Sequence, residues 1–130
     1  MNRSDIKPLI LIALFFTIFL FIPSQDIKCS KYKGTCSIYS NSAFTKSKLD
    51  YEFNIADIEN YEITKHRHSA GRNRHYTSYG ITIYLKSGEK VVIENETRSK
   101  ERAEEIYYDM ITNDYYILKG NLLKTILRIY

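Results

Sequence analysis

The chain has 130 residues, 44% of them hydrophobic, 12 tyrosines and a formal net charge of +4. That length bounds it to one small domain and excludes a multidomain enzyme. The tyrosine content and the regular apolar periodicity exclude a disordered chain, and the presence of a single long apolar run excludes a polytopic transporter.

The first segment is Leu9 to Ile22, LILIALFFTIFLFI, uncharged, with Thr17 as its only polar residue, preceded by Arg3 and Lys7 and bracketed by Pro8 and Pro23. Residues 8–23 as a helix rise about 24 Å, short of the ~30 Å hydrocarbon core of a bilayer. Length favours the apolar region of a cleaved signal peptide. The exit sequence Pro23-Ser24-Gln25-Asp26 lacks a small-x-small cleavage site, and the Phe- and Ile-rich run suits an anchor. Local thinning and flanking residues accommodate short spans. The expectation is a membrane anchor over 1–24, with a cleaved signal as the alternative. Either places the remainder outside the cytoplasm.

Cys29 and Cys36 are the only cysteines, follow directly on the leader and enclose Gly34, a residue suited to a tight reversal. They are expected to form a disulfide, and with it to mark an oxidising compartment. The spacing is not CxxC, so neither a redox motif nor a zinc knuckle is expected.

Downstream, residues 36–40 form a short β-type run. Leu49, Tyr51, Phe53 and Ile55 recur at period two and predict a half-buried strand. A break at Asp57-Ile58 leads to another strand from Tyr61. Residues 76–85, a turn at 86–89 and residues 90–94 predict a hairpin. The period then changes. Ala103, Ile106, Tyr107, Met110 and Ile111 predict an amphipathic helix over about 99–113, with Ser99 as N-cap and Glu101, Glu104 and Glu105 near its positive end. Residues 115–130 carry Leu118, Leu122, Ile126 and Ile129, with Lys119, Lys124 and Arg128 as their only charges after Asp114. They predict a basic amphipathic segment, packed on the domain or lying on a membrane surface. Strands followed by a helix give an α+β class.

One patch is concentrated. Residues 65–76 hold His66, His68 and His75, all the histidines of the chain, and Lys65, Arg67, Arg72 and Arg74. No acid occurs between Glu62 and Glu89. Ser69-Ala70-Gly71 is the expected loop tip. Three readings compete: a solvated hairpin loop that discourages edge pairing, an anion or partner site at Lys65, Arg67, Arg72 and Arg74, and a metal site built from the histidines. Four cations around the imidazoles disfavour the metal. No metal, cofactor or nucleic-acid partner is expected. The chain carries no GxSxG, HExxH or P-loop, and Glu104-Glu105 reads as a solvated pair, so no enzyme activity is expected.

Taken together, the cysteine pair after the leader with Cys36-Ser37-Ile38-Tyr39 opening a strand, the run Phe53-Asn54-Ile55-Ala56-Asp57-Ile58-Glu59-Asn60-Tyr61, the hairpin turned at Ser87-Gly88-Glu89 and the last helix after Ser99 are similar to bacterial membrane-associated proteins with a pleckstrin-homology (PH)-like domain. The resemblance covers about residues 27–113. It implies a strongly bent antiparallel sheet of six to seven strands, the seventh at Ile27–Tyr32, capped by a C-terminal helix, in a domain over 25–114. The phosphoinositide site of the eukaryotic domains does not carry over, because its basic residues lie in a different loop. The functional expectation is a single-pass, non-catalytic interaction domain that is held to a membrane by residues 8–23 and binds a protein or an anionic surface. The alternative is a secreted inhibitor or immunity-type protein.

Overall fold

The computed structural model describes residues 3–21, 24–41 and 47–130. In chain order these form α1 (Arg3–Phe21), β1 (Ser24–Ser30), β2 (Thr35–Asn41), β3 (Lys48–Asn54), a 3-10 turn (Ile55–Asp57), β4 (Ile58–Ser69), β5 (His75–Leu85), β6 (Lys90–Thr97), α2 (Lys100–Thr112), β7 (Tyr116–Leu118) and α3 (Leu122–Leu127). The class is α+β. The strands divide into two antiparallel sheets, ordered β3-β2-β1-β7 and β4-β5-β6.

The core lies between the sheets and under α2. The first sheet contributes Ile27, Cys29, Cys36, Ile38 and Phe53, the second Ile81, Ile83, Leu85, Val91 and Ile93. Helix α2 adds Ala103, Ile106, Tyr107 and Met110, the stripe its periodicity requires. Its N-terminus is capped by Ser99, whose hydroxyl accepts from the Arg102 amide at 3.3 Å. Tyr107 stacks on Tyr61 of β4 with ring centroids 3.8 Å apart, fastening the helix to the second sheet.

Cys29 and Cys36 stand directly opposite each other in the β1–β2 hairpin and form a disulfide. The four-residue reversal between these strands ends at Gly34, whose φ of 71° is left-handed and favours glycine. The Gly34 amide closes the turn on the Ser30 carbonyl at 2.8 Å.

Four features depart from the reading of the sequence. The first helix begins at Arg3, so Pro8, the first residue of the 8–23 run, lies inside it; the cost is one ladder hydrogen bond. Next, the period-two pattern of β3 is interrupted. Tyr51 pairs with Ile38 but Leu49 with Tyr39, so Asp50 is an extra residue in a bulge and Leu49 is left 47% exposed. In addition, β1 begins at Ser24 rather than Ile27, and residues 31–34 turn. Lastly, a further strand, β7, comes from the 115–130 segment read as a basic amphipathic segment. Tyr116 and Leu118 pack on the core while Ile117 between them faces out. Three residues are too few for a period to register.

The rest of that segment folds back. Asn121 caps α3 by accepting from the Lys124 amide at 3.1 Å, and Arg128 ends it with a φ of 53°. Tyr130 returns into the core. Its amide donates to the Glu96 carbonyl at 3.1 Å, and its hydroxyl accepts from the Asn121 amide at 2.9 Å and donates to the Asn121 carbonyl at 3.0 Å.

Candidate binding surface

Strands β4 and β5 outrun their sheet. The β5–β6 ladder ends at Tyr79–Thr97, whereas β4 and β5 remain paired as far as Ser69–His75. The hairpin therefore projects as a two-stranded arm about 13 Å beyond the third strand. Residues 70–74 close it, with the Ala70 amide donating to the Arg74 carbonyl at 2.9 Å, and Gly71 and Asn73 both at positive φ. The tip is thus centred a little later than Ser69, which is still in the strand.

Alternation along the arm separates the basic patch into two faces. Lys65 and Arg67 share the face of Tyr61 and Ile63, and His66 and His68 the opposite one. Arg72 and Arg74 lie in the turn. All four cations are exposed, and among the described residues none forms an ion pair. His75, across from Ser69, falls on the face of Lys65 and Arg67, so the three imidazoles do not converge. Among the described residues no group of three or more His, Cys, Asp or Glu side chains could hold a metal ion.

His66 and His68 instead join a polar cluster centred on Glu96. His68 Nε2 lies 2.7 Å from the wholly buried Ser78 Oγ, which donates to Glu96 Oε1 at 3.2 Å. His66 Nε2 is 3.6 Å from the same carboxylate oxygen. From the C-terminal segment, Arg128 donates to Glu96 Oε2 at 2.8 Å and to the Tyr76 hydroxyl at 2.8 Å. Tyr76 stacks on His68 and carries the Arg98 guanidinium over its ring, 4.4 Å from the centroid. Beside the cluster, Gly80 leaves a hollow of about 160 Å³ between Thr64 and Glu96.

The root of this arm adjoins the point where the chain arrives from α1. Gln25 accepts the Glu94 amide on its side chain and the Asn95 amide group on its carbonyl, both at 3.0 Å. Asp26 receives Asn41 Nδ2 at 2.9 Å and the Gly120 amide. Gly120 fits there only because it lacks a side chain: a Cβ would lie 2.7 Å from the Gln25 carbonyl oxygen. The start of β1, the root of the arm and the C-terminal segment therefore meet at one end of the domain.

At the other end, β3 and the β5–β6 turn flank a cleft of about 320 Å³ lined by Tyr51, Glu52, Phe53, Asn54, Asp57, Leu85, Ser87 and Glu89. The Tyr51 hydroxyl donates to Glu89 across it. Sequence reasoning missed both this cleft and the Glu96 cluster. Their members come from separate strands and follow no local spacing; a pairing register was the only signal that could have joined them.

Helix α1 exposes its apolar side chains, Leu11 at 67% and Phe16 at 62% among them. Among the described residues no helix is long and apolar enough to cross a membrane. Ile22 and Pro23, the end of the 8–23 run, lie outside the described residues. Compared with known proteins, the chain matches no family model, no curated protein and no solved structure.

Proposed function

We propose that the protein is a non-catalytic PH-like interaction domain, held to a membrane by residues 8–23 and lying outside the cytoplasm, that binds a protein or an anionic surface. The observation that carries this reading is the junction of an apolar, outward-facing α1 with β1, only two residues apart and at the end of the domain that bears the basic arm. The Cys29–Cys36 disulfide supports an oxidising compartment. The α+β class, with seven antiparallel strands and α2 packed against them, supports this reading at the level of class alone; the strands form two sheets rather than one bent sheet, and β7 and α3 follow α2.

The non-catalytic part of the reading rests on the one serine–histidine contact among the described residues. Ser78 is wholly buried, and the carboxylate beside it accepts from the serine itself. A nucleophile needs access to substrate and an acid that orients the histidine. Neither condition is met by this trio.

A second reading, a secreted inhibitor or immunity-type protein, is favoured by the short apolar run of α1. The mass of the mature N-terminus and carbonate extraction of membranes test the pair. An intact N-terminus retained in the carbonate pellet supports the anchor. A mature chain beginning near Ser24 in the soluble fraction establishes the secreted form.

A further inference from the structure

The end of the domain that receives α1 carries more than the basic arm. Helix α3 and the residues after it expose Leu123 at 63%, Leu127 at 39% and Ile129 at 44%, although the same segment buries Tyr130. Exposed beside these apolar side chains are Lys119 and Lys124. The segment is fixed to both neighbours: Gly120 seats against Ser24, Gln25 and Asp26, and Arg128 reaches Tyr76 in the arm. This end of the domain therefore presents three exposed apolar side chains with Lys119 and Lys124 on the same segment, and Arg72 and Arg74 exposed at the tip of the arm that Arg128 reaches. Two carboxylates beside it are engaged, Asp26 by Asn41 and Gly120, and Glu96 by Arg128, while Glu94 is exposed next to Gln25.

We propose that this face docks on the anionic lipid surface into which α1 inserts, with Leu123, Leu127 and Ile129 entering the headgroup boundary and the four cations engaging lipid phosphates. The proposal rests on the anchored reading above. Apolar side chains ringed by lysine and arginine suit an interface of lipid headgroups over acyl chains. The cations match the negative potential of phosphatidylglycerol or phosphatidylserine. Geometry supplies the rest. A helix ending two residues before β1 holds the domain close to the bilayer, and the face beside that junction is this one.

The chain contains no tryptophan, so a single introduced one is a clean reporter. The full chain carrying Leu123→Trp is reconstituted into phosphatidylglycerol-containing vesicles, with brominated lipid as quencher. Leu127→Trp serves as a second reporter should the first disturb folding. Tyr32→Trp, at a 92% exposed position in the turn at the opposite end of β1, is the control. Docking gives a blue-shifted, quenched emission at residue 123 or 127 and none at residue 32. The quenching weakens in neutral phosphatidylcholine vesicles. In the Arg72→Ser, Arg74→Ser, Lys124→Ser variant the docked-to-free ratio falls about fivefold for each cation removed. Flotation of the chain with vesicles while residues 123 and 127 keep a water-exposed emission overturns the docking and leaves the anchor standing. Equal quenching in neutral vesicles overturns the role of the cations. Failure to float overturns the docking and the anchored reading together.

Discussion

Arg128 and Glu96, 32 positions apart in sequence, meet at 2.8 Å and fasten the C-terminal segment across the end of β6. Both side chains are partly buried, and Arg128 also donates to the Tyr76 hydroxyl. Arg128→Ala therefore leaves Glu96 without its strongest partner. A destabilisation of about 1–3 kcal/mol is expected, measurable by urea titration. Limited proteolysis should cut the variant after Lys119 or Lys124 before the sheets are touched. Cleavage no faster than in the parent would show that the segment's other ties, among them Tyr130 and the Arg98–Leu127 hydrogen bond, hold it without Arg128.

Gly120→Ala places a methyl against the backbone of Gln25, where the carbonyl oxygen is 2.7 Å from the new Cβ. A backbone atom cannot swing aside as a side-chain tip does. Overpacking of about 1–3 kcal/mol is expected, together with faster amide exchange at Leu118 and Ile27, the paired residues of β7 and β1 nearest the site. Unchanged exchange there would mean that the junction relaxes without loosening the strand.

Ile106 on α2 is fully buried between the two sheets. Ile106→Ala should cost about 2–5 kcal/mol by lost transfer energy and cavity formation. Val92→Ala, at a position that is 52% exposed on β6, should cost less than about 0.5 kcal/mol. Thermal melts of the two variants check the contrast, and similar costs would mean that α2 does not roof the core.

The Cys29–Cys36 bridge closes a short loop between paired strands. Replacing both cysteines by alanine should cost about 2–3 kcal/mol on the chain-entropy account. Urea titration of the oxidised parent, the reduced parent and the variant measures it. Equal midpoints for all three would show the bridge to be energetically idle.

Burial raises the phenol pKa of Tyr107, with the nearby Tyr61 adding to it, and burial likewise raises that of Tyr116. A raised folded-state value means that the native protein holds these protons more tightly than the unfolded chain. The associated stability is fully present below the ordinary phenol value of 10.0 and is lost as pH rises through the folded-state values. Stability should therefore decline above about pH 10, and Tyr107→Phe should flatten that decline. An alkaline limb identical in the parent and the Tyr107→Phe variant would place the titration elsewhere.

Much of the fold was legible because its elements declare themselves locally. Ser99 followed by Ala103, Ile106, Tyr107 and Met110 reads as a capped helix at any tertiary address, and Lys86-Ser87-Gly88-Glu89 between two apolar runs reads as a hairpin turn. Strand β7 was not legible, since only its pairing with Ile27 and Cys29 makes Tyr116–Leu118 a strand. The basic patch was visible as composition, but its division into two faces was not. That division depends on the register that sets His66 opposite Ser78 and Arg67 opposite Thr77. The sequence gathered the three histidines into one run; the alternation of the strands turns two of them toward Glu96 and the third away.

Strand β1 is placed to carry load. It lies between β2 and β7, antiparallel to both, and is the first strand after α1. A pull applied at Ser24 along β1 would load the hydrogen bonds on both flanks in shear, many at once, rather than unzipping them singly. Beyond them the disulfide at Cys29 passes the load to β2. The strand that meets any tension entering through α1 first is thus gripped on both sides and covalently pinned, an arrangement that spreads the load before any one hydrogen bond fails.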